Sequence, residues 1–178
     1  MKTEQRCWSR EEGWSGNTTS GNLKDAQLVL LFGHPSNLKN ETLFKEIRQS
    51  YPNAYILSGS TAGEILKTRV YDDSLVATAI WFENTVIKTT HLKIKDRSDS
   101  LSIGEELVRV LDQEGLCHVF VLADGLNVNG SELVKGMVKH LPEGVKVTGG
   151  LTGDRGDFKE TFTGVNQMPE SKMVIALG

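Results

Sequence analysis

Residues 28–64 and 118–154 overlay without a gap at a constant offset of 90, and this internal repeat constrains the fold more than any other feature of the chain. The first copy reads LVLLFGHPSNLKNETLFKEIRQSYPNAYILSGSTAGE and the second HVFVLADGLNVNGSELVKGMVKHLPEGVKVTGGLTGD. Val29 falls on Val119, Asn37 on Asn127, Leu43 on Leu133, Pro52 on Pro142, Gly59 on Gly149, Gly63 on Gly153 and Glu64 on Asp154. A further apolar run follows each copy, at 75–82 and at 173–177.

Each copy reads as a strand, a helix and a second strand. The short, branched apolar runs at 28–32 and 118–123 suit strands covered on both faces. Leu43, Phe44 and Ile47 in one copy, and Leu133, Met137, Val138 and Leu141 in the other, recur at three- and four-residue spacing and mark amphipathic helices over 40–50 and 130–140. Pro52 and Pro142 stop them. Short strands follow at 54–58 and 145–148 and run into glycine-rich turns. Between the copies, the alternation Val86, Lys88, Thr90, Leu92, Ile94 predicts a half-exposed strand pairing antiparallel with 75–82 around Glu83-Asn84-Thr85. A helix over 98–115 then links the copies.

The expected fold class is therefore α/β, with two β-α-β-β-like repeats at offset 90 forming mixed, largely parallel sheets covered by helices. Residues 1–25 form an N-terminal arm, either loosely held or a first helix docked by Trp8 and Trp14. Residues 26–178 form the domain proper, with repeat one at 26–95, the linker helix at 98–115 and repeat two at 117–178.

Composition narrows the function. With 178 residues, 38% hydrophobic content and 24% charged content, the chain is an ordinary globular one that folds without disulfides. A net charge of −3 with no basic stripe argues against nucleic acid as a partner. The longest apolar runs, 28–32 and 119–123, have five residues each, far short of the roughly 18 a bilayer span requires. The first 25 residues lack a secretory signal, so the expected compartment is the cytoplasm, where Cys7 and Cys117 stay reduced.

The chemistry, if any, belongs to the turns Gly59-Ser60-Thr61-Ala62-Gly63-Glu64 and Gly149-Gly150-Leu151-Thr152-Gly153-Asp154, which follow strands at equivalent places. Ligands of parallel α/β sheets sit outside the carboxyl ends of strands, where backbone donors are free. Ser60, Thr61 and Thr152 supply hydroxyls, Glu64 and Asp154 charge, Arg155 a forked donor, and His34 stands in the loop beyond the first strand. A purely structural role, with small residues letting two repeats pack at a shared axis, accounts for the same turns equally well. Neither turn has the lysine of a phosphate-binding loop, and the glycine spacing fails the dinucleotide fingerprint. Thr61 occupies the serine position of a nucleophile elbow, but no base can be assigned to it. His34, His91, His118 and His140 show no metal-binding spacing.

Taken together, LVLLFGHPSN, YILSGSTAGEI, VFVLADGLNVNGSELVKGM and VTGGLTGD resemble the N-terminal half of the FIST (F-box and intracellular signal transduction) domains, over residues from about 25 to 178. The resemblance implies a cytoplasmic, non-enzymatic sensory module of bacterial signalling proteins that binds a small molecule such as an amino acid and signals to a histidine kinase or cyclase. Its alternative is a haem-containing nitric oxide sensor, for which no axial histidine is identified in the sequence. The family normally continues into a C-terminal half, so a chain stopping at Val174–Gly178, within an expected strand, reads as either a fragment or a truncated product. On this reading Glu64 or Asp154 meets an ammonium group and Arg155 or the turn N–H groups a carboxylate, in a pocket bordered by loops 33–40 and 123–130.

Overall fold

A computed structural model describes residues 1–17 and 23–178. The chain opens with an antiparallel hairpin, β1 (Lys2–Ser9) and β2 (Gly13–Asn17), in which Trp8 faces Trp14 across the ladder. β3 (Leu28–Gly33) leads through the single turn α1 (Pro35–Leu38) into α2 (Glu41–Ser50) and β4 (Tyr55–Ser60). A small hairpin, β5 (Glu64–Leu66) and β6 (Arg69–Tyr71), precedes β7 (Leu75–Trp81). The remainder runs β8 (Thr89–Lys93), α3 (Ser100–Val110), β9 (His118–Ala123), α4 (Gly130–Val138), β10 (Lys146–Leu151), β11 (Thr163–Val165) and β12 (Met173–Leu177).

Helices α2 and α4 form where periodicity and caps coincide. The Asn40 side chain accepts from Thr42 N and Leu43 N at the start of α2, which buries Leu43 and Ile47 against the sheet. Asn129 accepts from Glu132 N at the start of α4, which buries Leu133 and Met137. α3 and α4 touch through reciprocal glycines: a Cβ on Gly104 would lie 2.2 Å from Leu133 O, and one on Gly136 2.1 Å from Leu101 O. No helix among the described residues is long and apolar enough to cross a membrane.

Two main sheets result, ordered β11-β4-β3-β7-β1-β2 and β10-β9-β12-β8. α2 packs on the outer face of the first, over Val29, Leu31, Ile56 and Ala77. α3 and α4 cover the outer face of the second, over Val119, Val121, Val174 and Ala176. The inner faces meet each other through Leu28, Leu57, Val165, Met173, Ile175 and Leu177. The architecture is thus four layers, α-β-β-α, rather than one layer of sheet between helices.

Four expectations need correcting. The sheets are mixed but not largely parallel: of the nine strand pairings among the described residues, only β3·β4 and β9·β10 are parallel. β7 begins at the end of the sheet where β4 stops, so it must return beside β3 in the opposite sense, and β12 does the same beside β9. The strand after Glu83-Asn84-Thr85 does not pair with 75–82; β8 crosses to the other sheet and pairs with β12. It therefore stands with repeat two in space, although the sequence reading places it in repeat one (26–95).

Over its described part, the expected arm is neither loose nor helical. β1 pairs along its length with β7, Lys2↔Trp81 through Trp8↔Leu75, and Arg6 lies over the Trp14 ring at 5.2 Å. The gapless offset also fails beyond Pro142. Thr61 N donates to Gly33 O at 3.1 Å and Thr152 N to Ala123 O at 2.9 Å, so the equivalent threonines are 91 residues apart while the preceding strands are 90 apart. The additional residue lies in Pro142-Glu143-Gly144-Val145, where Gly144 takes φ +87° before β10.

Candidate functional site

The two glycine turns are brought together. β4 and β10 both end at the same end of the sandwich, and Gly153 N donates to Ser60 O at 2.9 Å, joining the turn after β10 to the strand before the other turn. A Cβ on Gly153 would lie 3.5 Å from Ala62 N, and one on Gly59 3.0 Å from the Thr152 methyl. The bends touch, with small residues at the point of contact.

Around this contact, the hydroxyl and carboxylate groups singled out in the sequence have internal partners. Ser60 Oγ accepts from Phe162 N at 2.9 Å, while Ser60 N donates to Phe162 O at 2.9 Å. Thr61 Oγ1 donates to Glu64 Oε1 at 2.6 Å, and Ser74 donates to Glu64 Oε2 through its N at 3.1 Å and its Oγ at 2.7 Å. Glu64 is only 2% exposed. Thr152 Oγ1 donates to Ala123 O and accepts from Gly125 N, both at 3.3 Å.

Asp154 caps the following loop, accepting from Phe158 N at 3.1 Å, Lys159 N at 2.7 Å and Glu160 N at 3.1 Å. Burial pushes its carboxyl up, but these backbone donors outweigh burial and hold it below its ordinary value. Arg155 and His34 meet at a third residue, Asp73: Arg155 Nη2 lies 3.0 Å and His34 Nδ1 3.7 Å from Asp73 Oδ1. His34 also caps α1, accepting from Ser36 N at 3.4 Å. Glu64 and Asp154 do not converge on one another; each closes its own loop.

The sequence reading missed the residue that organises this end of the molecule. Asp124, fully buried at the end of β9, accepts from Leu126 N at 2.9 Å, Asn127 N at 3.0 Å, Asn127 Nδ2 at 3.0 Å, Thr161 Oγ1 at 2.6 Å and Lys172 N at 2.6 Å. Burial pushes the Asp124 carboxyl up, yet the donors from Thr161, Lys172 and Asn127 bring it below its ordinary value. An Asp leaving an apolar run into Gly-Leu-Asn is a side-chain-capped turn, and that local signal is present in the sequence. The reach to Thr161 and Lys172 is not.

Beside the second turn, a cavity of about 320 Å³ opens between α4 and the outer edge of β10. Gly130, Leu133 and Val134 line it from the helix, and Val147 to Leu151 from the strand. β10 is an edge strand, paired only with β9 among the described residues, and Leu151 is 49% exposed. In the first sheet the corresponding edge of β4 is covered by β11, Thr163↔Gly59 through Val165↔Leu57. A Cβ at Gly150 would meet nothing within 4 Å, whereas at Gly149, with φ +147°, it would fall 1.8 Å from Val121 O. Gly149 is thus required by the strand, while Gly150 leaves space.

The four histidines stand on separate segments of the chain. His34 is tied to Ser36 and Asp73, and His140 Nε2 faces Arg109 Nη2 at 3.1 Å and Glu105 at 3.5 Å. His91 sits on the edge strand β8 and is exposed. His118 lines a second cleft, but its Nε2 lies 2.8 Å from the Thr148 hydroxyl. Among the described residues, no group of three His, Cys, Asp or Glu side chains is placed to hold a metal ion.

The FIST N domain family model matches residues 27–178, which spans both sheets apart from the opening hairpin and ends with β12. No curated protein and no solved structure matches. A family match over so much of the chain, including both of the paired turns that the sequence singles out, settles its kinship: the chain belongs to the FIST N domain family.

Proposed function

We propose that this chain is the input module of a signalling protein, binding a small molecule such as an amino acid in the cavity between α4 and β10. The family is one of sensory signal-transduction domains and not a known enzyme family. The observation that carries the proposal is the position of the cavity: it is walled by Gly149, Gly150 and Leu151, and two residues further on Gly153 hydrogen-bonds across to Ser60 of the other sheet. A volume of about 320 Å³ suits a ligand of amino-acid size. Apolar walls from Val134 and Leu133 suit its side chain, and backbone groups on the free edge of β10 suit its polar end.

On this reading Ser60, Thr61, Glu64, Thr152 and Asp154 are the frame and not the contact surface, since each is held by internal hydrogen bonds. Occupation beside β10 biases the arrangement of the turns, and the change passes to Arg155, Asp73 and His34 at the surface, where a kinase or cyclase partner reads it. Calorimetry across the amino acids and small carboxylates tests the proposal. The expected result is heat from at least one of them that disappears in Val134→Trp, which fills the cavity from the helix wall. Silence across the panel, or binding unchanged in a folded Val134→Trp, overturns it.

A further inference from the structure

We infer that the cleft at the other end of β9 is a second ligand site, and that its ligand is an apolar organic cation, an aromatic or branched body carrying an ammonium group. The cleft has a volume of about 780 Å³ and is bounded by segments 82–88, 112–118 and the end of β12. Its floor consists of Phe82, Ile87, Phe120 and Leu177, which pack on the inter-sheet core, so it opens a seam of that core to solvent. Such a floor receives an apolar body of drug-like size.

The rim selects the sign of charge. It carries Lys88, Asp112 and Glu114, and Lys88 is already ion-paired with Asp112. Glu114 is in no ion pair among the described residues, so Lys88, Asp112 and Glu114 together leave one surplus negative charge on the rim. A carboxylate entering here meets Asp112 and Glu114; an ammonium meets them favourably and also finds the rings of Phe82 and Phe120. The site is independent of the cavity beside α4, which shares no lining residue with it.

The molecule contains its own reporter. Cys117 lines the cleft and is exposed, whereas Cys7 is 5% exposed, so a neutral thiol reagent such as monobromobimane reads Cys117 first. The rate of Cys117 modification is measured with 4-phenylbutylamine and, in parallel, with 4-phenylbutyrate. The expected result is saturable slowing by the amine and none by the carboxylate, with Glu114→Gln weakening the amine by roughly twofold to fivefold, as for an exposed charge pair. Protection by neither compound, equal protection by both, or an undiminished amine effect in folded Glu114→Gln each overturns the inference.

Discussion

Replacing Asp124 by Asn is the sharpest test of how the turn end of the molecule is held. The change is nearly isosteric, but it turns one acceptor oxygen into a donor. In the wild-type chain Oδ1 accepts from Leu126 N, Asn127 N and Thr161 Oγ1, and Oδ2 accepts from Lys172 N and Asn127 Nδ2. If the amide keeps its oxygen toward Thr161, its NH₂ faces two donors and both hydrogen bonds at that position are lost. Each is a bond to a charged acceptor worth about 1.5 kcal/mol net, so the loss is about 3 kcal/mol, a large part of the roughly 5–15 kcal/mol that holds a domain folded.

The same carboxylate gives a pH signature. Its folded pKa lies below the ordinary 3.8, so its contribution is fully present above that value and is lost as pH falls through the lower folded pKa. Urea unfolding of wild type and Asp124→Asn from pH 7 down to pH 3 therefore shows a gap of about 3 kcal/mol at neutral pH that narrows on acidification. A loss under about 1 kcal/mol at pH 7, or a gap that does not change with pH, refutes the account of Asp124 as the ionised centre of this loop network.

Three further outcomes are expected. Gly149→Ala places a Cβ 1.8 Å from Val121 O in a backbone conformation L residues avoid, so it costs at least about 2 kcal/mol in thermal or urea unfolding, while Gly150→Ala changes stability by less than about 1 kcal/mol. Deleting residues 1–17 strips β7 of its β1 partner and leaves the backbone N–H and C=O groups along that edge of β7 unpaired; circular dichroism should show loss of cooperative unfolding, whereas a dispensable arm would leave the transition intact. Arg155→Ala removes ion pairs to Asp72 and Asp73 whose partners are two-thirds exposed or more, so its effect on stability is at most about 0.5 kcal/mol and vanishes in 1 M salt.

Much of the local structure was legible in the sequence because it is locally specified. The runs at 28–33 and 118–123 are strands, Asn40 and Asn129 start helices where the apolar spacing begins, and Pro52 and Pro142 follow their ends. The paired small-residue segments do meet, but Gly59 and Ser60 still belong to β4 and Gly149 to Leu151 to β10, so each turn begins later than the strand ends expected at 58 and 148. What the letters do not show is that their polar groups already have internal partners: Ser60 accepts from Phe162, Glu64 from Ser74 and Asp154 from Lys159. Hydroxyl and carboxylate are equally suited to binding a ligand and to closing a loop, and only the position of the nearest donor distinguishes the two.

The letters alone establish that a strand-helix-strand unit occurs twice and that it ends in small residues, since periodicity, caps and turn formers act over a few residues. Register and strand partners are decided in three dimensions. One additional residue after Pro142 shifts β10 by a position, and a two-residue alternation inverts its meaning with each such step. β8 reads the same whether it pairs with β7 or with β12, because the pattern specifies a half-exposed strand and not its neighbour. That neighbour was selected by burial: the inner faces of two sheets remove Leu57, Met173 and Ile175 from water only by lying against each other, and the apolar floor beneath Glu114 exists because that packing stops short at one end.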